Sequence, residues 1–345
     1  MEKKSNIFVI NSHTTFLTVL GIIDYLSLSK NDVLLLRVRN YDNDLTKYWD
    51  TIDTSKLCSE CEVLLRKDLK RNLKIDYIKK VDDFVSTYFS NKYHLYAPHL
   101  AHPFWQVMYT NSKCTHFSYV QEGALPFTSA FQNKVPFWGK VKNLTFKIIG
   151  SGRYWYYRPW FLKSKIKKTS LVDSYSTNEA FFRYLPVPNY RIRWPEPTMD
   201  YSISLKNPHM IFIFDGFVSN MIMQLDDYLG ECKKLIDKEA KTYNYLKFHP
   251  AQKRDEISTI CEYFKQKKLH FEELESTKPF EYTIISNRDL NLTGFGSSLL
   301  YLAYEHGHNV TCYDYVLNKY ILYRENRKRC GFMSFDEYVK NENTI

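Results

Sequence analysis

Short apolar runs alternate with longer stretches of helical spacing through residues 1–120. Continuous apolar runs bounded by polar residues indicate buried strands, and apolar positions three or four apart indicate helices. The pattern predicts strands at 7–10, 33–38, 63–65, 93–96 and 117–120, helices at 16–28 and 77–89, and a polar turn at 11–15. Strand and helix alternating in this way predict a parallel sheet covered by helices.

A cluster of prolines then interrupts the alternation, at Pro186, Pro188, Pro195 and Pro197. Because proline disfavours the interior of regular structure, this stretch is predicted to be a linker. Beyond it the alternation restarts, with predicted strands at 210–214, 245–248, 269–272, 282–285 and 309–313, and helices at 221–241, 256–267 and 297–305. A last helix is expected within 321–345.

Two α/β units joined by a proline-rich linker predict two Rossmann-like domains facing a central cleft, the layout known as GT-B. The expected domains are residues 1–190 and 198–320, followed by the C-terminal helix of 321–345. In sheets of this kind ligands bind beyond the carboxyl ends of the strands. Polar residues in those positions are therefore the candidates for chemistry.

Composition is that of an ordinary globular protein, with 44% hydrophobic and 25% charged residues. The length of 345 residues favours about two domains. No apolar run approaches the ~18–20 residues that span a membrane, and the polar residues 11–15 interrupt any signal-like segment. We therefore expect a cytoplasmic protein.

The formal net charge of +10 indicates an anionic partner. Residues 140–170 carry no acid and many bases, interleaved with aromatic residues; the bases are Lys140, Lys142, Lys147, Arg153, Arg158, Lys163, Lys165, Lys167 and Lys168. Such a segment suits an anionic membrane surface, single-stranded nucleic acid, or a solvated face whose aromatic residues lie in the core. We favour the inner face of the cytoplasmic membrane and expect no nucleic acid.

The seven cysteines are odd in number and scattered, which favours reduced thiols. Cys58 and Cys61 have CxxC spacing, but no second pair lies at zinc-ribbon distance, so buried or incidental thiols are favoured over a metal or redox site. Asp42-Asn43-Asp44 matches a tripeptide that binds divalent metals in another fold, and chance explains so short a match. No metal is expected.

The sequence Gly294-Phe295-Gly296-Ser297-Ser298 opens a predicted apolar helix. Glycines let a backbone approach a phosphate, and the N–H groups at a helix start attract anions. The motif therefore predicts phosphate binding. Ordinary helix capping by Ser297 is the alternative.

His249-Pro250 follows another predicted strand, and Pro250 is expected to end it. A histidine there can donate to a phosphate or act as a general acid, or can simply belong to a loop. His102-Pro103 is a similar dipeptide without a strong strand before it. We interpret it as structural, with the proline at a helix start.

Gln121-Glu122-Gly123 follows the predicted strand at 117–120. A glutamate has an ordinary pKa of about 4.3, so it is ionised near neutrality. At a strand end facing a cleft, Glu122 can take a proton from a sugar hydroxyl. A solvated turn residue is the alternative.

These three stretches resemble the signature of bacterial sialyltransferases of GT-B fold, the lipooligosaccharide and capsule enzymes: two acids and Gly, then His-Pro, then Ser-Ser or Ser-Thr. The turn after the first strand, Asn11, Ser12, His13 and Thr14, also resembles their N-terminal loop, and we count it as a candidate acceptor or donor loop with Gln121 and Gly123. The resemblance covers the two-domain layout over residues 5–320, while identity is confined to the motifs.

The resemblance implies an inverting, metal-independent transfer of sialic acid from CMP-sialic acid to a glycan or glycolipid. It makes Glu122 the base and His249 the acid that also contacts the phosphate. It gives the donor site His249, Pro250, Glu281, Gly294, Phe295, Gly296, Ser297 and Ser298, with Glu281 on the ribose. Gln121 stands where the family has its first acid, which puts the sugar or acceptor in question.

Three alternatives stay open. The donor could be another CMP-activated acid such as Kdo. It could be a UDP- or GDP-sugar in an enzyme of the same fold. The protein could also be a basic, membrane- or nucleic-acid-binding protein with a degenerate site, which the segment 140–170 suggests. A donor panel and nucleotide binding distinguish these alternatives.

Overall fold

The computed structural model divides the chain into two α/β units. The first unit contains the described residues up to Pro195, and the second contains those from Ile203 onward. The structure describes residues 2–38, 48–64, 71–123, 141, 153, 171–179, 181–183, 185, 187–195, 203–274, 279–330 and 332–342.

Among the described residues of the first unit, seven parallel strands form one sheet in the order β3-β2-β1-β4-β5-β6-β7. Ile7 to Ile10 in the middle of the sheet are fully buried, as a strand covered on both faces requires. The strands are β1 Lys4–Ile10, β2 Val33–Arg37, β3 Thr51–Asp53, β4 Phe89–Ala97, β5 Cys114–Val120, β6 Leu171–Ser176 and β7 Asn189–Arg191.

The helices described in this unit are α1 His13–Tyr25, α2 Ser55–Ser59, α3 Arg71–Tyr88 and α4 Pro103–Tyr109, with short 3-10 helices at Lys30–Asp32 and Glu60–Leu64. Gly21 of α1 lies close to the chain at the end of the unit. A Cβ on Gly21 would lie 2.4 Å from the carbonyl oxygen of Arg193. Trp194 stabilises the same contact, because its indole N–H donates to the hydroxyl of Thr18 at 3.1 Å.

Five parallel strands form the sheet described in the second unit, in the order β10-β9-β8-β11-β12. They are β8 His209–Phe214, β9 Tyr243–Phe248, β10 Phe271–Glu273, β11 Asn291–Gly294 and β12 Asn309–Cys312. The chain adds strands on one side of β8 and then crosses to the other. In α/β sheets, ligands bind at such a switch point.

The helices described in this unit are α5 Leu225–Glu239, α6 Arg254–Gln266, α7 Phe280–Ser286, α8 Ser298–Glu305, α9 Ile321–Cys330 and α10 Phe335–Glu342, with a 3-10 helix at Asp314–Lys319. Helices α5 and α6 pack on one face of the sheet, and Tyr228 and Phe264 are completely buried there. Large apolar side chains removed from water are the main stabilising contribution of such a core.

The predicted fold class is confirmed as two Rossmann-like, parallel-sheet α/β units, and the central cleft stays a prediction. The continuous apolar runs at 7–10 and 210–214 are strands, as expected. His102-Pro103 begins α4, also as expected, with Pro103 in the first turn.

Some elements differ from the sequence-based expectation. The predicted turn at 11–15 is wrong, because Ser12 caps α1 by accepting from the N–H of Thr15 at 3.1 Å. Residues 63 and 64 of the predicted strand at 63–65 lie in a 3-10 helix, and the predicted strand at 282–285 lies in α7. Short apolar runs fit a buried helical turn as well as a strand.

The proline-rich stretch is not wholly a linker, since it contains β7. This edge strand pairs with β6, and the carbonyl of Pro188 accepts from the N–H of Ser174 at 2.9 Å. Proline is tolerated there because an edge strand has one unpaired side. The C-terminal segment also differs, since two helices, α9 and α10, replace the single one expected.

Candidate functional site

Four neighbouring strands of the second unit carry polar residues just beyond their carboxyl ends. In sheet order these are His249 after β9, Asp215 after β8, Ser297 after β11 and Asp314 after β12. They line a cavity of about 240 Å³. Its lining comprises Asp215, Gly216, Phe217, Asn220, Ile222, His249, Gly296, Ser297, Ser298, Tyr301, Asp314, Tyr323, Asn326, Arg327, Phe332 and Met333.

Ser297 is the N-cap of α8, and its side chain accepts from the N–H of Leu299 at 3.4 Å. Ser298 is the first helical residue and also lines the cavity. The first N–H groups of a helix lack partners within the helix and favour an anion. Ser297 therefore caps the helix as predicted, and the same helix start still offers N–H groups to an anion, so the two interpretations of the motif are compatible.

The other members of this motif have different places. Gly294 belongs to β11, where a Cβ would lie 2.6 Å from the carbonyl oxygen of Ile213, so it serves close strand packing. The side chain of Phe295 is buried in the core against Tyr228, with ring centroids 6.3 Å apart. Only the backbone of Phe295 can contact a ligand. Gly296 lines the cavity.

His249 has a defined tautomer in its neutral form. Its Nδ1 accepts from the N–H of Ala251 at 3.0 Å, so the ring hydrogen lies on Nε2. The ring packs against Gly216, where a Cβ would lie 2.7 Å from Nδ1. This partial loss of solvent lowers the pKa of His249 below its ordinary value. Near neutrality His249 is therefore an uncharged hydrogen-bond donor, and Pro250 beside it is exposed.

Asp215 is a candidate that the motif analysis missed. It is 5% exposed, and its Oδ2 has no hydrogen-bond partner among the described residues. Its own N–H donates to the hydroxyl of Tyr228 at 2.8 Å. Burial raises the pKa of Asp215 to about 7, although the backbone N–H of Phe295 opposes that rise. An Asp-Gly pair directly after the strongest apolar strand was the sequence signal for it.

Asp314 closes the cavity on the side of β12. Arg327 pairs with its Oδ2 at 3.1 Å, and the N–H of Phe335 donates to the same oxygen at 3.1 Å. Burial raises the pKa of Asp314, against the opposing effects of the Phe335 N–H and of Arg327. The ion pair fixes α9 and the start of α10 around the cavity.

Glu281 lies in the first turn of α7 and does not belong to the cavity lining. Its charge acts on Lys247, which lies on β9 two residues before His249. Burial lowers the pKa of Lys247, and Glu281 opposes that shift. The structure thus brings together a carboxylate of α7 and an amine of β9.

The first unit has a polar cluster at the carboxyl ends of β1, β4 and β5. Asn11 donates from Nδ2 to Oε1 of Glu122, and accepts at Oδ1 from the hydroxyl of Thr15 at 2.7 Å. His99, which the sequence analysis missed, places its Nε2 3.7 Å from Oε2 of Glu122. The N–H of Ala101 donates to Nδ1 of His99 at 3.1 Å, so the neutral ring carries its hydrogen on Nε2, facing Glu122.

The other predicted residues of this unit make hydrogen bonds within the fold or occupy turn and helix positions. Gln121 is fully buried, with its amide oxygen accepting from the N–H of Thr177 at 2.7 Å and its NH₂ group donating to the carbonyl of Gly123 at 2.9 Å. Its amide therefore ties β5 to the end of β6. Gly123 has a φ of 77°, which favours glycine. His13 and Thr14 lie in the first turn of α1.

A third polar cluster crosses the same sheet. Ligand atoms of His94, His116 and Asp173 lie within 4.8 Å of one another. The two imidazoles stack with their ring centroids 3.9 Å apart and their planes 20° apart. His94 contacts Ser118 at 2.6 Å, and His116 contacts Asp173 at 3.0 Å. The cluster is a hydrogen-bonded network across three strands, and the expectation of no metal stays a prediction.

Other candidates from the sequence have simpler outcomes. Cys58 and Cys61 are buried thiols whose sulfurs lie 3.4 Å and 3.7 Å from Nε2 of His102. Asp42, Asn43 and Asp44 lie outside the described residues, as does the segment 140–170 apart from residues 141 and 153. In the described part of the chain, no helix combines the length and the apolar character that crossing a membrane requires.

Of the known proteins compared with this chain, only solved structures match it. No model of a protein family and no curated protein matches the sequence. A sialyltransferase from Photobacterium damsela aligns with 13% identity and a TM-score of 0.48, over 96% of this chain and 80% of its own.

Two further structures align in a similar way. A UDP-N-acetylglucosamine 2-epimerase from Rickettsia bellii has 12% identity and a TM-score of 0.47, over 90% of this chain and 78% of its own. The glycosyltransferase SnogD from Streptomyces nogalater has 9% identity and a TM-score of 0.45, over 98% and 90%. Likenesses this weak leave the function to be argued from the residues of the site.

Proposed function

We propose that this protein is an inverting glycosyltransferase that moves a nonulosonic acid, first of all sialic acid, from its CMP-activated form to a glycan hydroxyl. The observation that carries the proposal is the strand-end group of the second unit, which comprises His249, Asp215, Ser297 and Asp314. There a neutral histidine donor, two serine hydroxyls and a helix start line one cavity. Hydrogen-bond donors of this kind bind a phosphate.

The phosphate of the donor would accept hydrogen bonds from Nε2–H of His249, from Ser297 and Ser298, and from the first N–H groups of α8. Glu281 would accept from the ribose hydroxyls. Lys247 lies beside it and would contact the cytidine portion. In this arrangement the nucleoside would contact Glu281 and Lys247, and the transferred sugar would occupy the cavity.

Glu122 would be the base. Its Oε1 accepts from Asn11, which fixes the carboxylate and leaves its other oxygen facing His99. The acceptor oxygen attacks the anomeric carbon as the bond to the phosphate oxygen breaks. The electron pair leaves with CMP, and the proton of the acceptor passes to Glu122. One displacement inverts the anomeric centre, and the mechanism requires both units to reach the same donor.

The test is CMP release from CMP-sialic acid, with and without a galactose-terminated acceptor, in EDTA. Metal-independent release that rises with acceptor supports the donor class and the reaction. A thermal shift with CMP but no release would retain the nucleotide site and move the donor to Kdo or another CMP-sugar. Preference for UDP over CMP would identify a UDP-sugar enzyme of the same fold.

No nucleotide binding at all would overturn the proposal and favour a basic surface-binding protein. Retention by anionic vesicles at low salt tests the separate prediction that the segment 140–170 brings the protein to the inner membrane surface. That prediction is independent of the donor, because it rests on the basic and aromatic residues of the segment.

A further inference from the structure

Asp215 occupies the centre of the strand-end group. It follows β8, the strand at which the sheet order reverses, with His249 on one side and the Ser297 helix start on the other. It is 5% exposed, and its Oδ2 is unpartnered among the described residues although it lines the cavity. A buried polar atom with no partner destabilises the folded state, so a site that retains one warrants a functional explanation.

The groups around Asp215 do not neutralise it. Tyr228 and Cys232 face it from α5, His249 from the end of β9, Cys312 and Asp314 from β12 and the following turn, and Tyr323 and Arg327 from α9. Arg327, the cation among them, pairs with Asp314 at 3.1 Å. Asp215 therefore lies among uncharged groups, one other acid and a cation that is already paired with that acid. Within the described residues none of the ion pairs includes Asp215.

We propose that Asp215 is the general acid of the site, with its protonated carboxyl giving a proton to the departing phosphate while His249 acts as a neutral hydrogen-bond donor. The inference rests on the proposed function and revises the role that family resemblance gives to His249. Enzymes often separate acid and base by environment in this way.

The electrostatics agree with this division. Burial raises the pKa of Asp215 to about 7, so near neutrality a large fraction of the carboxyl carries its proton. The pKa of His249 is lowered by partial desolvation, so its imidazole carries no spare proton there. Of these two groups, the carboxyl is the one that can release a proton readily.

The bond between the anomeric carbon and the phosphate oxygen breaks, and the electron pair stays on that oxygen. The oxygen takes the proton of Asp215, which is left as a carboxylate. The acceptor oxygen forms the new bond to the anomeric carbon and gives its proton to Glu122. Exchange with solvent reprotonates Asp215 and deprotonates Glu122 before the next turnover.

The test is the pH dependence of kcat and kcat/KM for wild type and Asp215→Asn, with CMP affinity measured on both. For wild type, kcat/KM should fall as pH rises above about 7, because this parameter reports the free enzyme. Asp215→Asn keeps a donor but no acidic proton. Its kcat should be roughly 10²-fold lower at pH 6.5, and its kcat/KM should lack that alkaline fall. Its CMP affinity should change by less than about threefold.

Wild-type transfer together with unchanged kcat and an unchanged alkaline limb in Asp215→Asn would overturn the inference and leave the proposed function intact. Absence of transfer and of CMP binding in wild type would instead overturn the proposed function. If Asp215→Asn does not fold, calorimetry of CMP binding to wild type in buffers of different ionisation enthalpy decides. At pH 7.5 proton uptake should accompany binding and persist in His249→Gln, and no uptake would overturn the inference.

Discussion

Glu122 and Asp215 are two carboxylates in the same kind of place with opposite surroundings. Each lies just past the carboxyl end of a parallel strand, β5 in the first unit and β8 in the second. The side chain of Glu122 is 30% exposed, accepts from Asn11 and faces His99. Asp215 is buried, and one of its oxygens has no partner in the described part of the chain.

The difference shows how surroundings assign chemical roles. A carboxylate that accepts hydrogen bonds and contacts water is suited to accept a proton, whereas one held in an apolar pocket tends to keep its proton. In the proposed mechanism the two units thus provide a base and an acid from the same functional group. Each of the following changes alters one side of this comparison.

The largest effect is expected from Glu122→Gln. The amide cannot take the acceptor proton, so kcat should fall by roughly 10³-fold, within the range typical of general-base removal. CMP affinity and melting temperature should stay near those of wild type, because the nucleotide groups lie in the other unit. Single-turnover transfer and calorimetry measure the two quantities.

Glu179→Gln is the matched control for that change, since it removes an exposed acid of the same unit. It should leave transfer unchanged. If Glu122→Gln retained more than a tenth of wild-type kcat, Glu122 would not be the base, and the contrast with Asp215 would lose its chemical meaning.

His249→Gln should weaken CMP binding by roughly 10- to 100-fold, because a hydrogen bond to a charged group contributes about 1.5–3 kcal/mol. If Asp215 rather than His249 is the acid, the alkaline fall of kcat/KM should persist in this variant. Titration with CMP and a pH–rate profile measure the two effects.

His270→Gln, at an exposed position of the same unit, serves as the control and should bind CMP normally. Loss of the alkaline fall in His249→Gln, with binding little changed, would return the acid role to His249. Glu122 would then remain the base, and Asp215 would have no role in proton transfer.

Much of this arrangement is predictable from local sequence. The apolar runs that become β1, β8 and β9 define buried strands, and the rule that ligands bind beyond strand ends directs attention to Glu122 and His249. The same rule applies to Asp215, which directly follows β8. It was missed because an Asp-Gly pair also fits an ordinary turn.

Other features depend on contacts between distant residues. Asn11 and Glu122 are 111 positions apart, and no local pattern relates them. His99 joins them because β4 lies between β1 and β5 in the sheet. Likewise β7 forms because it pairs with the edge of β6, although the prolines around β7 indicate a linker. Tertiary pairing outweighs local preference at such places.

Asp215→Asn should change the pH dependence of stability by about 2 kcal/mol. The pKa of Asp215 is about 7 in the folded protein and about 3.9 in an unfolded chain. Between these values the folded state binds more protons, so the stability that this group contributes is complete below about pH 4 and is lost as pH rises towards 7. Each pH unit in that window costs about 1.4 kcal/mol.

From pH 5 to 7, therefore, wild type should lose about 2 kcal/mol of unfolding free energy more than Asp215→Asn loses, as measured by urea denaturation. Glu272→Gln, which changes an exposed acid of the same unit, should follow wild type. Parallel curves for wild type and Asp215→Asn would show that Asp215 is ionised throughout, and its contrast with Glu122 would disappear.

The smallest effect concerns the support of Glu122. Asn11→Ala removes the donor that orients the carboxylate, and kcat should fall by roughly tenfold, the equivalent of about 1.4 kcal/mol and of one ordinary hydrogen bond. CMP affinity should not change, since Asn11 acts through Glu122 and does not belong to the nucleotide site.

Asn11→Asp sharpens this last test, because it keeps the size of the side chain and replaces the donor to Glu122 with a second acid. Two adjacent carboxylates share a proton more readily than one does alone, so the acidic limb of kcat/KM should move to higher pH. A purely structural role for Asn11 would lower stability in both variants and leave the acidic limb where it is in wild type. A shifted limb would show that the side chain at position 11 acts directly on the carboxylate of Glu122.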